Sequence, residues 1–150
     1  MPMQTRLVQI DDASILLGLM KAMREDDPWS VAFDDDRVRE MIRSLLADPR
    51  AGRAWFVIDD GRIVGYVVMS FDFSFEYGGL NAWVDEIFIE KNSRGKGLGT
   101  EVLDFFESAA RELGVAAIHL EVNHGNKAVE LYRRRGFVDH QRYLMTKWIR

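Results

Sequence analysis

Between residues 82 and 122 the hydrophobic period changes from two to about 3.6 and back again, and that change restricts the fold more than any other feature. Ala82-Trp83-Val84-Asp85-Glu86-Ile87-Phe88-Ile89 reads as a strand. Leu98, Val102, Phe105, Phe106, Ala109 and Leu113 form one helical stripe, and Gly114 is its expected C′ residue. Val115 to Val122 reads as a second strand. A strand, a helix and a strand joined this closely make a parallel pair with a right-handed crossover. At the first junction stands Arg94-Gly95-Lys96-Gly97-Leu98-Gly99. Its glycines let the backbone visit φ > 0 and approach a ligand closely. The helix that follows offers free N–H groups and the positive end of its dipole, a cradle for phosphate or pyrophosphate.

The first half of the chain has a different organisation. Thr5 to Ile10 is an expected strand, and Asp11 and Asp12 are N-cap residues for a helix with Ile15, Leu16, Leu19, Met20 and Met23 inward. A second helix starts after Asp34-Asp35-Asp36, with Val38, Met41, Ile42, Leu45 and Leu46 as its stripe. Arg53 to Ile58 and Arg62 to Phe71 are strands joined by Asp59-Asp60-Gly61, a hairpin signal, and Gly65 marks a bulge or close packing. Alternation at Phe71, Phe73 and Phe75 extends the second of these strands. Beyond the parallel unit, Lys127 to Arg135 is a short helix, and Phe137-Val138 with Arg142 to Ile149 form a terminal strand pair. The sum is an α/β (α+β) fold: a mixed, mainly antiparallel sheet with helices on both faces, in a single domain over residues 1–150.

Composition narrows the partners. A net charge of −4 argues against non-specific nucleic-acid binding and suits a cationic substrate. With no cysteine there is no disulfide or thiolate site, which agrees with a cytoplasmic location. No run approaches the roughly 18 apolar residues of a membrane span. His119, His124 and His140 lack metal-ligand spacing, so no metal is expected and they read as surface or packing residues.

Two motifs in order resemble those of the GCN5-related N-acetyltransferases. Arg94, Gly97 and Gly99 match that family's pyrophosphate motif. Asn126, Ala128, Leu131-Tyr132 and Gly136-Phe137 match its second signature. The resemblance implies an acyl-CoA N-acyltransferase fold with acetyl-CoA in a V-shaped opening between the fourth and fifth strands. Pantetheine would lie along Ile87, Phe88 and Ile89, and Asn126 would bond to it. Pyrophosphate would meet N–H groups from Arg94, Gly95, Lys96, Gly97, Leu98, Gly99 and Thr100. Tyr132 would protonate the leaving thiolate, a role its phenol suits at neutral pH. Glu86, or Asp85 beside it, would take the proton of the attacking amine. The acceptor site would draw on the acidic loop Glu25 to Asp36, with Trp29 and Phe33 and a wall of Tyr77 and Trp83. Carboxylates and aromatic faces there suit a small cationic amine, polyamine-like or aminoglycoside-like. A homodimer through the terminal strands is left open. Two rival readings are a non-catalytic acyl-CoA sensor, which Tyr132 speaks against, and a dinucleotide-binding enzyme, which needs G-x-G-x-x-G where this chain has Gly95-x-Gly97-x-Gly99.

Overall fold

Alternation along the strands sorts the apolar side chains into two cores, one on each face of a single sheet. The computed structural model describes residues 2–28 and 31–149. In order these form β1 (Gln4–Leu7), α1 (Ala13–Asp26), α2 (Asp35–Ala47), β2 (Gly52–Asp59), β3 (Arg62–Ser74), β4 (Gly79–Ile89), α3 (Leu98–Glu112), β5 (Ala117–His119) and α4 (Ala128–Arg134). The sheet runs β1-β2-β3-β4-β5, antiparallel at the first three junctions and parallel at the last. Ala54, Phe56, Tyr66, Val68 and Phe88 point to one face, where α1 and α2 cover them with Leu16, Met20, Val38 and Ile42. Their strand neighbours Trp55, Val57, Val67, Met69 and Val84 point to the other, under Leu98, Val102 and Phe106 of α3. The central strands are therefore apolar on both faces, as a covered sheet requires.

Two interruptions in register shape the sheet. In the β2–β3 pair Val57 faces Gly65 but Ile58 faces Ile63, so Val64 is an extra residue. In the β3–β4 pair Val68 faces Glu86 but Met69 faces Val84, so Asp85 is extra. Each bulge bends its strand and resets which face the following side chains take. Beside the first bulge, a methyl group added to Gly65 would collide with the Phe88 carbonyl oxygen and crowd Ile89 Cα. Close packing and a bulge thus coincide at this glycine.

Several expectations are corrected. In α1 Ile15 is exposed, while Ala13 and Leu17 are buried with Leu16, Leu19 and Met20. In α2 Met41 alone of the expected stripe is exposed, with Val38 and Ile42 buried and Leu45 and Leu46 packed on the same core. Asp12 occupies the N-cap position of α1 without capping it. Its carboxylate turns back to Gln9 N at 2.8 Å and to Arg6 at 2.9 Å, which closes the preceding 3₁₀ turn. Asp34 does cap α2, accepting from Arg37 N at 2.8 Å. The fifth strand is shorter than the run 115–122, with Ala117–His119 alone paired. The terminal strand pair does not form among the described residues. From residue 137 the chain makes no ladder, and Tyr143, Met145 and Ile149 are exposed. Three paired residues in β5 are too short an edge to template it.

Gly65→Ala tests the close approach in the sheet. Overpacking against backbone costs about 1–3 kcal/mol, so chemical denaturation is expected to show that loss with the transition still cooperative.

Candidate active site

Pairing between β4 and β5 covers Asn81–Ala117, Ala82–Ile118 and Trp83–His119 and then stops. β4 continues to Ile89, while the segment after β5 leaves the sheet beyond His119. The edge of β4 from Val84 to Ile89 therefore flanks an opening whose vertex is Trp83 against His119. The motifs imply a V-shaped opening at this junction.

At the wide end of the opening β4 passes through the glycine loop into α3. Gly95 has φ +80° and Gly97 has φ +84°, and an added Cβ at either would meet no atom within 4 Å. They are glycines for conformation, not for lack of room. Gly97 is the N-cap of α3 and no side chain caps the helix. At the start of α3 the Leu98 and Gly99 N–H groups have no intrahelical acceptor and face the loop side, while Thr100 N already donates to Gly97 O at 3.1 Å. Side chains brace the loop from beneath. Arg94 Nε donates to Ile89 O at 2.7 Å and Nη2 to Asp26 Oδ2 at 2.7 Å, with the guanidinium 5.8 Å from the Phe88 ring centre. Lys91 Nζ meets the other Asp26 oxygen at 2.9 Å. Lys91 and Arg94 together hold the Asp26 carboxyl below the usual range. Lys96 Nζ lies 3.5 Å from Asp59 Oδ2. Arg94 is thus a strut between the loop and the end of α1.

The bulge at Asp85 determines the acids. Ala82, Val84, Ile87 and Ile89 all belong to the α3 side, and Glu86 and Phe88 to the α1 side. Glu86 is buried and fully engaged: Arg24 of α1 pairs with one oxygen, and Tyr66 Oη donates to the other at 3.1 Å. Burial pushes the Glu86 carboxyl up, and the Arg24 charge opposes that push. Tyr66, also buried, has its phenol pushed up by burial and by the Glu86 charge. Asp85 reaches solvent, yet enough protein surrounds it that desolvation pushes its carboxyl up too.

Tyr132 lies in α4, half-buried, with its ring 5.9 Å from Phe137 in an edge-on contact. Burial raises its phenol, so it keeps its proton at neutral pH. Two contacts fix α4 on α3. Leu131 Cδ2 lies 4.0 Å from where a Gly99 Cβ would be, and Arg135 pairs with Asp104. Asn126 Oδ1 accepts from Ala128 N at 2.9 Å, an Asx turn ahead of α4 that leaves its Nδ2 to donate elsewhere.

The expected acceptor wall is divided. Trp29 lies outside the described residues. Phe33 packs against the core under α1 and α2. Val31, Ala32, Asp34 and Arg37 line an open apolar groove bounded by Trp148. Tyr77 and Trp83 are brought together by a residue read from sequence as a bystander: the His119 ring is 4.4 Å from Tyr77 and 5.0 Å from Trp83. Its signal was its register position opposite Trp83, which only the topology reveals. Arg24 and Tyr66, partners of Glu86, were likewise not singled out. Among the described residues no group of three or more His, Asp or Glu is placed to hold a metal ion, and no helix is long and apolar enough to cross a membrane.

Comparison with known proteins gives the same architecture. A family model described as "Acetyltransferase (GNAT) family" matches residues 18–137. A streptothricin acetyltransferase from Streptomyces lavendulae is 28% identical over 126 residues, 77% of this chain and 62% of that protein; the chain thus spans under two thirds of that relative's length. An integron cassette protein from the mobile metagenome of Cole Harbour Salt Marsh superposes with TM-score 0.85 at 33% identity, covering 98% of this chain and 91% of that one. A predicted acetyltransferase from Clostridium acetobutylicum, solved with acetyl-CoA, superposes with TM-score 0.80 at 21% identity over 97% and 96% of the two chains, a likeness of fold.

The Arg24–Glu86 pair makes a stability test. Removing one partner of a buried pair costs about 3–5 kcal/mol, because the other charge is left buried. Arg24→Met is expected to lose stability on that order in urea, and Arg24→Met with Glu86→Gln to lose less. In the single variant Glu86 moves further above its unfolded value near 4.3, so the folded state binds the proton more tightly than the unfolded one. The deficit is then smallest below about pH 4.3 and grows as pH rises through the folded-state value.

Proposed function

Because the chain belongs to the acetyltransferase (GNAT) family, we propose that it transfers an acetyl group from acetyl-CoA to a primary amine of a small cationic molecule, by direct attack in a ternary complex. The observation that carries this reading is the opening beside β4, which leads from the Trp83–His119 vertex to the uncapped start of α3. In that opening the free backbone edge at Ile87, Phe88 and Ile89 pairs with pantetheine. N–H groups from Gly95 through Gly99 receive the pyrophosphate, those of Arg94 and Thr100 being already given to Lys91 O and Gly97 O, and Asn126 Nδ2 bonds to the pantetheine arm. Arg94 acts through its brace on Ile89 and Asp26, and Lys96 through its contact with Asp59.

A lysine-like amine has a pKa about three units above neutrality, so freeing its lone pair costs about 4 kcal/mol before any bond forms. Asp85 accepts that proton, directly or through water. It is the carboxylate open to solvent, and its raised pKa brings it nearer the amine's. Glu86 instead fixes the bulge through Arg24 and Tyr66. The amine nitrogen then bonds to the acetyl carbonyl carbon, a β4 N–H near Ile87 to Ile89 stabilises the oxyanion, and the carbon–sulfur bond breaks. Tyr132 gives its proton to the departing sulfur. The acceptor's charge is met by Trp29 and the acids of the loop that ends at Asp36 and by Tyr77 and Trp83, whereas Phe33 packs into the core. The named acceptor of the streptothricin acetyltransferase is in keeping with a small-molecule substrate.

Acetyl-CoA is expected to raise the melting temperature where NAD does not; an unmoved transition at saturating acetyl-CoA would overturn the assignment. General acid–base groups contribute about 10²–10⁴-fold. Tyr132→Phe and Asp85→Asn should each lower kcat for thiol release with a cationic amine by about 10²-fold or more, while the acetyl-CoA dissociation constant changes little. Full turnover in either variant removes that residue from its role.

A further inference from the structure

The turn between β3 and β4 already holds a cation, and it belongs to the chain itself. Arg142 donates Nη2 to Glu76 Oε1 at 2.6 Å and Nη1 to Glu76 Oε2 at 3.1 Å, and Nη1 also reaches Tyr77 Oη at 3.3 Å. This two-pronged contact pulls the Glu76 carboxyl below its usual range. Yet the two side chains keep 60% and 53% of their surface exposed. Ion pairs that open to water hold weakly and exchange with other cations.

What lies behind that carboxylate is not ordinary surface. Tyr77 rests on His119, His119 rests on Trp83, and Trp83 stands two residues before Asp85 on β4. His140 adds a ring 5.9 Å from Tyr77. A carboxylate, a phenol, an imidazole and an indole thus form one row from the turn to the vertex of the opening. Anion and ring faces of this kind take up alkylammonium groups. Ring centres 4.4 Å and 5.0 Å apart carry the row from Tyr77 through His119 to Trp83, and two further strand residues, about 7 Å, bring it to Asp85.

Resting on the acetyltransferase reading above, we infer that Glu76 and Tyr77 bind the distal ammonium of a linear di- or polyamine whose near amine lies at Asp85. Arg142 is the internal occupant of that cation site and leaves it when such an acceptor binds. Chain-borne guanidinium and acceptor ammonium compete for one carboxylate. The two substitutions therefore act in opposite directions on the same substrate. A merely structural salt bridge would move both the same way.

The experiment uses the full chain with spermidine and butylamine, a polycation and a monocation of similar apolar character. In wild type the KM for spermidine should lie well below that for butylamine. Glu76→Gln should raise the KM ratio of spermidine to butylamine about tenfold, and Arg142→Ala should lower it several-fold. A ratio unmoved by Glu76→Gln, or raised by Arg142→Ala, overturns the inference. Calorimetric titration of spermidine reads the site without turnover. Weaker binding to Glu76→Gln and tighter binding to Arg142→Ala support it, and equal affinity across the three proteins overturns it. Should wild type release no thiol with either amine, the acyl-transfer reading falls, while the calorimetry still decides the cation site.

Discussion

One extra residue in β4 sets the geometry of everything around the opening. Without the bulge at Asp85, strict alternation would carry Glu86 and Phe88 to the same side as Ala82 and Val84, under the apolar face of α3. A carboxylate there would be buried against Val102 and Phe106 with no partner, at a cost of several kcal/mol. The bulge moves Glu86 to the side of α1, where Arg24 and Tyr66 satisfy it. It also leaves Asp85 unpaired in the ladder and open to water, one residue from an acid that is neither. Two adjacent carboxylates thus acquire separate environments from a single change of register.

Glu86 in turn couples the sheet to the helix that positions the loop. Arg24 and Asp26 lie in the last turn of α1. Arg24 reaches down to Glu86 on β4, and Asp26 reaches across to Lys91 and Arg94 beyond it. Arg94 then returns to β4 through Ile89 O. The end of β4, the glycine loop and the end of α1 form one closed circuit of charge-assisted contacts. That circuit holds the loop backbone while the loop itself carries two residues at positive φ and no side-chain plug.

Much of this was legible in the residues. The order of helices and strands as far as α4, the change of period at the glycines and the hairpin at Asp59-Asp60-Gly61 follow from local rules, and the structure keeps them. The stripe of α3 was readable because its apolar residues span several turns at constant phase. What was not legible depended on register or on distant partners. The bulge at Asp85 has no local signature, since Val84-Asp85-Glu86-Ile87 reads equally well as regular strand. The pairing of Glu86 with Arg24 joins residues 62 apart in the chain. His119 meets Trp83 through the parallel pair, whose register no short window contains. The tail misled for the converse reason: Arg142 to Ile149 alternates like a strand, but a strand needs an edge to join, and β5 pairs over only three residues.

The cations near the loop deserve a different weight from their count. Lys91, Arg94 and Lys96 would suggest a phosphate site built on side-chain charge, yet each lies against Asp26 or Asp59. Their charge is largely answered before any ligand arrives. What remains for an anion is the set of backbone N–H groups at the start of α3, oriented by the helix and held in place by the circuit through α1. Such donors need no side-chain ordering to bind, whereas a free lysine or arginine would lose rotamer freedom. They also act over a single turn and not over a Debye length, so they favour an anion docked in the loop without making the surface generally attractive to polyanions. On the proposed reading, a chain of net charge −4 holds a diphosphate in this way and still presents acids and aromatic rings to a cation at the vertex of the same opening.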